Sequence, residues 1–168
     1  MTLTTSRLVL EGCTAAHIEA LIAGSEVFEK QFGLRVMEGY LEFPEALPHM
    51  LKDLGSGGPW ASYLFIHPID HALIGLGGYK GAPDSAGMVE IGYGIAHAYR
   101  NQGYAAESAQ GLIDFAFRQP AVQKVWAHTL AEDNASSHVL KKCGLRVIEE
   151  LNTPDDGPLW RWEIVRSP

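Results

Sequence analysis

Residues 88–117 read MVEIGYGIAHAYRNQGYAAESAQGLIDFAF, and the period of the apolar residues changes within this stretch. Over 89–95 apolar residues alternate with Glu90 and two glycines, which predicts a strand. From Gly103 to Phe117 the apolar residues recur at helical spacing and form one stripe, which predicts an amphipathic helix. A strand therefore leads through a short glycine-containing turn into a long helix, and the rest of the chain is arranged around this unit.

One face of the predicted strand carries almost no side chains. Glu90, Gly92 and Gly94 share that face because successive residues of a strand point to opposite sides. Bare backbone allows an extended ligand to approach closely. The strand thus predicts a shallow trench that begins at a carboxylate.

The turn at 100–105 is a candidate anion site. Successive backbone N–H groups at the start of a helix, with the helix dipole behind them, suit a pyrophosphate, and Arg100 adds positive charge. The alternative is a plain helix start in which Gly103 relieves a steric problem. The turn lacks the G-x-G-x-x-G spacing of dinucleotide-binding proteins, and the chain has no G-x-x-x-x-G-K-[ST] phosphate loop. A nucleotide-binding oxidoreductase is therefore disfavoured.

The remaining segments predict an α+β protein of one domain, residues 1–168. Strands are predicted at 7–10, 60–66, 73–79, 124–130, 145–151 and 159–165. Helices are predicted after Thr14, which can act as an N-cap, irregularly within 25–43, over 44–54 before the glycine-rich cluster 55–59, and over 134–143. Consecutive strands on short turns favour antiparallel pairing, so we expect one mixed, mostly antiparallel sheet with helices on both faces.

Composition excludes several classes of protein. The 168-residue chain has a net charge of −7, which argues against a nucleic-acid-binding surface. No stretch approaches the roughly 20 apolar residues of a membrane span, and no basic segment precedes an apolar run at the N-terminus. A cytoplasmic protein without membrane or nucleic-acid partners is expected. Cys13 and Cys143 are expected to be free thiols, and the seven histidines form no metal-binding pattern.

Three segments carry a resemblance to a known family. Residues Arg100-Asn101-Gln102-Gly103-Tyr104-Ala105 look like the [QR]-x-x-G-x-[GA] acetyl-CoA loop of the GNAT N-acetyltransferase superfamily. The segment NASSHVLKKCGL at 134–145 resembles the N-x-x-S-x-x-x-L/K-x-x-G-F segment of that family. The opening Thr5-Ser6-Arg7-Leu8-Val9-Leu10 is similar to the start of the RimJ/RimL branch, which acetylates ribosomal-protein N-termini.

The resemblance implies the GNAT acyl-CoA acyltransferase fold, in which the fourth and fifth of the strands predicted above (89–95 and 124–130) splay apart around the pantetheine arm of acetyl-CoA. It implies that backbone groups of Gly94 and Ile95 pair with pantetheine, and that Asn134 bonds to the same arm. The residues implied to hold the pyrophosphate are Arg100, Asn101, Gln102, Gly103, Tyr104 and Ala105.

Two side chains are catalytic candidates for acetylation of an amine. Glu90 lies in the trench and is the candidate base; the alternative is a carboxylate at the sheet edge or in a structural ion pair. Ser137 is the candidate proton donor to the CoA thiolate, by resemblance to branch members with Ser there; the alternative is a local helix-start hydroxyl. Many relatives place a Tyr seven residues after the Asn, where this chain has Lys141.

The function expected from the resemblance is an acetyl-CoA-dependent N-acetyltransferase, with acetyl-CoA as co-substrate and no metal. The acceptor is a primary amine of a protein N-terminus, a polyamine or aminoglycoside, or a small molecule. A homodimer is plausible from the family alone. The alternative function is a catalytically silent acyl-CoA-binding or sensing module.

Overall fold

The computed structural model describes residues 1–54 and 58–168. The strands are β1 Thr2–Thr4, β2 Val9–Gly12, β3 Arg35–Val36, β4 Ser62–His67, β5 Ala72–Tyr79, β6 Met88–Ile95, β7 Lys124–Leu130, β8 Arg146–Thr153 and β9 Gly157–Val165. The α-helices are α1 Ala15–Ala23, α2 Ser25–Phe32, α3 Leu47–Asp53, α4 Tyr104–Arg118 and α5 Ala135–Lys142. Short 3-10 helices at Pro44–Ala46 and His97–Tyr99 precede α3 and follow β6.

The strands form one sheet in the order β1-β2-β4-β5-β6-β7-β9-β8, with β3 paired to β5. Neighbours are antiparallel except β3 with β5 and β6 with β7. Helix α4 packs on one face with Leu112 and Ile113 fully buried, and α1 to α3 cover the other face around Ile18 and Phe28. The predicted fold class, a mixed, mostly antiparallel sheet with helices on both faces, is confirmed.

Most predicted elements are present, with boundaries shifted by a few residues. Thr14 caps α1 as predicted: its hydroxyl accepts the N–H of His17 at 3.2 Å, while its own N–H donates to His17 Nδ1 at 3.0 Å. The helix predicted over 44–54 begins as a 3-10 turn before α3. Of the glycine-rich cluster predicted to end it, residues 55–57 lie outside the described residues.

The N-terminal segment differs from its prediction. The first predicted strand, 7–10, lies at Val9–Gly12, because Thr5 to Leu8 form a turn in which the Thr5 N–H donates to Leu8 O at 3.0 Å. The prediction missed β1 and β3, which have three and two residues. Segments this short carry no periodic signal, and they are strands only because a partner strand pairs with them.

Strands β6 and β7 separate partway along their length. They pair only at Met88 with Lys124, Val89 with Val125 and Glu90 with Trp126. Beyond Glu90, β6 stays paired with β5, while β7 stays paired with β9. These are the two strands expected to splay, and a gap opens between them. In the described residues no helix is long and apolar enough to span a bilayer.

Candidate active site

A cavity of about 950 Å³ occupies the gap between β6 and β7. Its lining includes Gly92, Tyr93 and Gly94 from β6 and His128, Thr129 and Leu130 from β7. Ser136 at the start of α5 lines it as well, and so do residues of the segment before α3, among them Glu42 and Phe43. The cavity therefore touches elements from both faces of the sheet.

The two β6 glycines keep this cavity open. A Cβ atom on Gly92 would lie 3.4 Å from Lys80 Cε, and one on Gly94 would lie 3.8 Å from Tyr40 O, so the protein itself leaves room for a side chain. Neither glycine has a positive φ. Packing and backbone conformation therefore do not require glycine at these positions, and the bare backbone they leave is accessible to a ligand.

The register determines which backbone groups face the gap. Gly94 pairs with Leu76 of β5, and its carbonyl oxygen lies against Gly75, so Gly94 contributes space to the gap while its own polar groups face β5. By the alternation of antiparallel pairing, Tyr93 and Ile95 direct their backbone groups toward β7. Arg100 Nε already donates to Ile95 O at 3.0 Å. The role implied for Ile95 fits this register, and the role implied for Gly94 would need its backbone to leave β5.

The turn before α4 has the geometry of an anion site. Asn101 and Gly103 have positive φ values of 61° and 84°, which tighten the chain into the helix. No side chain caps α4. Throughout the described ranges, the N–H groups of residues 101–105 have no hydrogen-bond acceptor. Unpaired N–H groups at a helix start attract phosphates.

Arg7, near the N-terminus, contacts this turn. Its guanidinium donates to Gln102 O at 3.0 Å and to Glu107 Oε1 at 2.8 Å, and it lies 4.1 Å from the centre of the Tyr104 ring. Burial alone would raise the pKa of Glu107, but hydrogen bonds from Thr5 and Arg7, with the Arg7 charge, lower it overall. The sequence predicted a strand at 7–10 and carried a family resemblance over 5–10, but neither signal selected Arg7 as a site residue.

Glu90 lies where the two strands part, with its side chain 14% exposed. Its Oε2 atom is 3.2 Å from Lys80 Nζ and 3.1 Å from His128 Nδ1. His128 lines the cavity, whereas Glu90 is not among the lining residues. Sequence reasoning did not find His128, since its proximity to Glu90 depends on the pairing of β6 with β7.

The start of α5 uses Asn134 and Ser137 as a capping box. The Asn134 Oδ1 accepts the Ser137 N–H at 2.9 Å, and the Asn134 N–H donates to Ser137 Oγ at 2.9 Å. The Ser137 hydroxyl in turn donates to Asn134 O at 2.9 Å, and its side chain is buried. Both predicted site residues thus stabilise the helix start, and their proposed contacts with a ligand stay predictions.

A different hydroxyl pair lies at the gap. The Tyr93 hydroxyl is 3.3 Å from both the carbonyl oxygen and the Oγ of Ser136. Burial raises the pKa of Tyr93 to about 12, so its phenol stays protonated at neutral pH. Lys141, which replaces the tyrosine of many relatives, is exposed on α5. The sequence placed Tyr93 on the apolar face of its strand and gave no sign that its hydroxyl reaches α5.

The splayed strands, the open helix start and the capped second helix define an acyltransferase-type fold. The chain belongs to the acetyltransferase (GNAT) domain family, whose model matches residues 7–146.

Two curated proteins illustrate the sequence similarity. An uncharacterized N-acetyltransferase, YjdG of Bacillus subtilis (strain 168), is 31% identical over 107 residues, which cover 61% of this chain and 63% of YjdG. The FsC-acetyl coenzyme A-N(2)-transacetylase of Aspergillus fumigatus is 30% identical over 69 residues, which cover 41% of this chain and 29% of that enzyme. The chain thus matches less than two thirds of the length of either relative.

Solved structures show the same fold over nearly the whole chain. A RimL ribosomal alpha-N-protein acetyltransferase in complex with coenzyme A aligns with a TM-score of 0.74 at 15% identity and covers 98% of both chains. A GNAT-family acetyltransferase from Bacillus anthracis aligns with a TM-score of 0.70 at 19% identity and covers 99% of both. A spermidine N-acetyltransferase chimera that includes the Vibrio cholerae protein aligns with a TM-score of 0.71 at 16% identity and covers 96% of both.

Proposed function

We propose that this protein transfers the acetyl group of acetyl-CoA to a primary amine. The observation that carries the proposal is one continuous gap beside β6, with unpaired N–H groups of residues 101–105 beyond its end and Glu90 at its vertex. A ligand with its pyrophosphate on those N–H groups would extend along β6 into the gap. Its thioester would then lie between the two strands, close to Glu90 and His128.

The reaction needs a neutral amine, a polarised thioester carbonyl and a proton for the thiolate. The Ile95 N–H, which points toward the gap, is the donor we propose for the carbonyl oxygen; one such donor is typically worth about 3 kcal/mol. Glu90 supplies the negative charge that favours removal of the amine proton. Ser137 can protonate the thiolate only if its bonds to Asn134 open, so Tyr93 and Ser136 are better placed to hydrogen-bond the sulfur.

The charge of the cavity favours a cationic acceptor. Its lining includes the acids Glu42, Asp53 and Asp156 and the base Lys80, which is paired with Glu90, and the chain as a whole carries a charge of −7. The RimL enzyme acts on a ribosomal protein and the chimera on spermidine, and both acceptors are amines. We therefore propose a protein N-terminus or a polyamine, ahead of other small amines, and a place near the RimJ/RimL branch.

Calorimetric titration with acetyl-CoA and CoA tests the cofactor half, with NAD and ATP as controls. Binding of the first two alone is expected, and absence of both from folded protein overturns the proposal. Thiol release from acetyl-CoA is then measured with a tetrapeptide bearing a free α-amine and with spermidine.

A silent acyl-CoA-binding module is the second candidate, and the hydrogen bonds that engage the Ser137 hydroxyl favour it. Binding of acetyl-CoA without thiol release for any amine would support this alternative. If turnover occurs, Ser136→Ala and Ser137→Ala distinguish the two hydroxyls. A larger fall in kcat for Ser137→Ala would restore Ser137 as the proton donor.

A further inference from the structure

We infer that His128 accepts the proton of the acceptor amine and that Glu90 is a positioning residue that orients its imidazole. The inference rests on the proposed function and assigns the base within the same site. The amine proton then moves to His128 and not directly to Glu90.

Position along the strands brings these two side chains together. Trp126 pairs with Glu90 at the last point where β6 and β7 touch, and His128 lies two residues further along β7. Residues two apart on a strand share a face, so His128 projects on the face that carries Glu90. The His128 side chain is 27% exposed and lines the cavity, whereas Glu90 is 14% exposed and does not. A substrate amine in the gap thus meets the imidazole first.

The contact with Glu90 determines the tautomer of His128. An ionised carboxylate only accepts hydrogen bonds, so the Nδ1 atom 3.1 Å from Glu90 Oε2 must carry the proton. Neutral imidazole has one proton, and Nε2 then has a free lone pair. Nε2 makes no hydrogen bond to any residue in the described ranges. It is therefore available to a ligand in the cavity.

Glu90 itself is less accessible to the amine. His128 and Lys80 both contact the same oxygen, Oε2, at 3.1 and 3.2 Å. Protonation of that oxygen would disrupt both contacts. When His128 becomes an imidazolium, by contrast, Glu90 gains a full opposite charge at hydrogen-bond distance.

Other groups around the imidazole come from β7, from β9 and from the residue that follows β5. The Trp126 ring meets it edge-on with centroids 4.8 Å apart, and Lys80, directly after β5, contacts Glu90. Arg161 of β9 pairs with His128 in register, but its guanidinium stacks 4.0 Å from the Trp126 ring centre and bonds to Glu163 at 3.2 Å. The carboxylate in direct contact with the imidazole is therefore Glu90.

The proposed step balances without a further reagent. The amine nitrogen forms a bond to the thioester carbonyl carbon, and its proton moves to His128 Nε2. The C–S bond then breaks, and its electron pair goes to the CoA sulfur. The thiolate takes that proton from the imidazolium, directly or relayed through a water molecule, to give CoA and the acetylated amine with His128 neutral.

Kinetics of His128→Gln and Glu90→Gln with acetyl-CoA and the two probe amines test the inference. For His128→Gln we expect kcat to fall by about 10²–10³-fold at neutral pH with KM for acetyl-CoA unchanged. The deficit should shrink as pH rises, because hydroxide can then take the amine proton in place of the imidazole. Glu90→Gln should lose less, and Glu90→Asp should recover part of the loss. The control is His71→Asn in the exposed β4–β5 turn, where Asn tolerates the positive φ of 48°.

A spectroscopic readout needs no acceptor. Long-range ¹H–¹⁵N spectra of ¹⁵N-histidine protein, with the His128 signals assigned by their absence from His128→Gln, should show Nδ1 protonated and Nε2 bare. This preference should disappear in Glu90→Ala. A wild type with protonated Nε2, or a His128→Gln variant with wild-type kcat, overturns the inference and leaves the proposed function standing. Failure of the wild type to bind acetyl-CoA overturns the proposed function instead.

Discussion

The two edges of β6 differ, and the glycines of β5 serve a different purpose from those of β6. Toward β5 the sheet is closed: a Cβ on Gly75 would overlap Gly94 O, and one on Gly77 would lie 2.5 Å from Gly92 O. Toward β7 the sheet opens after Glu90, and Gly92 and Gly94 have space for a side chain. Glycines on β5 are therefore required for packing, whereas those on β6 keep the surface bare for a ligand.

The helices that follow the two splayed strands repeat this difference. Helix α5 follows β7 and is capped by Asn134 and Ser137. Helix α4 follows β6, has Gly103 at its N-cap position and has no side-chain cap. The first N–H groups of α5 thus bind side chains of its own capping box, whereas those of α4 stay available to an anion. Each of the following predictions tests one part of this contrast.

The largest effect is expected from Gly75→Ala. The added methyl group has no room against the β6 backbone, and such overpacking costs about 2–3 kcal/mol. Gly94→Ala should leave the free energy of unfolding unchanged or raise it by up to about 1 kcal/mol, since alanine restricts the unfolded chain. Its methyl group should weaken acetyl-CoA binding instead. Urea denaturation and calorimetry measure both quantities, and equal destabilisation by the two variants would remove the contrast.

Gly103→Asp should weaken acetyl-CoA binding by about 10–100-fold relative to Gly103→Asn. Both side chains have nearly the same shape, and Asn and Asp tolerate a positive φ better than other residues, so the difference reports the charge beside the pyrophosphate. Raising the salt concentration should reduce the difference, because salt screens exposed charges. Equal affinities of the two variants would place the pyrophosphate away from this turn.

Asn134→Ala should destabilise the protein by about 1 kcal/mol, because α5 loses its N-cap. Asn101→Gly is the matched change before α4, where the Asn side chain caps nothing and the φ of 61° suits glycine. Its effect on the free energy of unfolding should stay within about 0.5 kcal/mol. Thermal and urea unfolding of both variants measure the difference, and a comparable loss in Asn101→Gly would show an unrecognised cap on α4.

The smallest effect concerns Glu107, which ties Arg7 to the open helix start. Its pKa in the folded protein is below the ordinary 4.5, so its contribution to stability is present above that pH and is lost as pH falls through the lowered pKa. Because Arg7 is 43% exposed, we expect less than about 1 kcal/mol. Glu107→Gln should flatten the fall in stability as pH drops below the ordinary carboxyl pKa of 4.5. If the loss of stability at low pH is the same in Glu107→Gln as in the wild type, other carboxylates cause it.

The predictions from sequence were most accurate where the signal is local. The strand at 124–130 has the predicted bounds, and α4 begins one residue after Gly103. Period and capping act between residues a few positions apart, so a single chain reveals them. The segment 25–43, expected to be an irregular helix, contains α2 and β3. The sequence did not indicate β3 because that strand depends on its pairing with β5.

The sequence by itself determined the strand–turn–helix unit at 88–117, its bare glycine face and the glycine turn that starts the helix, because these features arise from neighbouring residues. Only the tertiary structure decided what surrounds that unit. Arg7 reaches Glu107 across 100 positions, and His128 reaches Glu90 across 38. Such contacts depend on the order and splay of the strands, which no local pattern encodes; the sheet therefore selects the residues of the site.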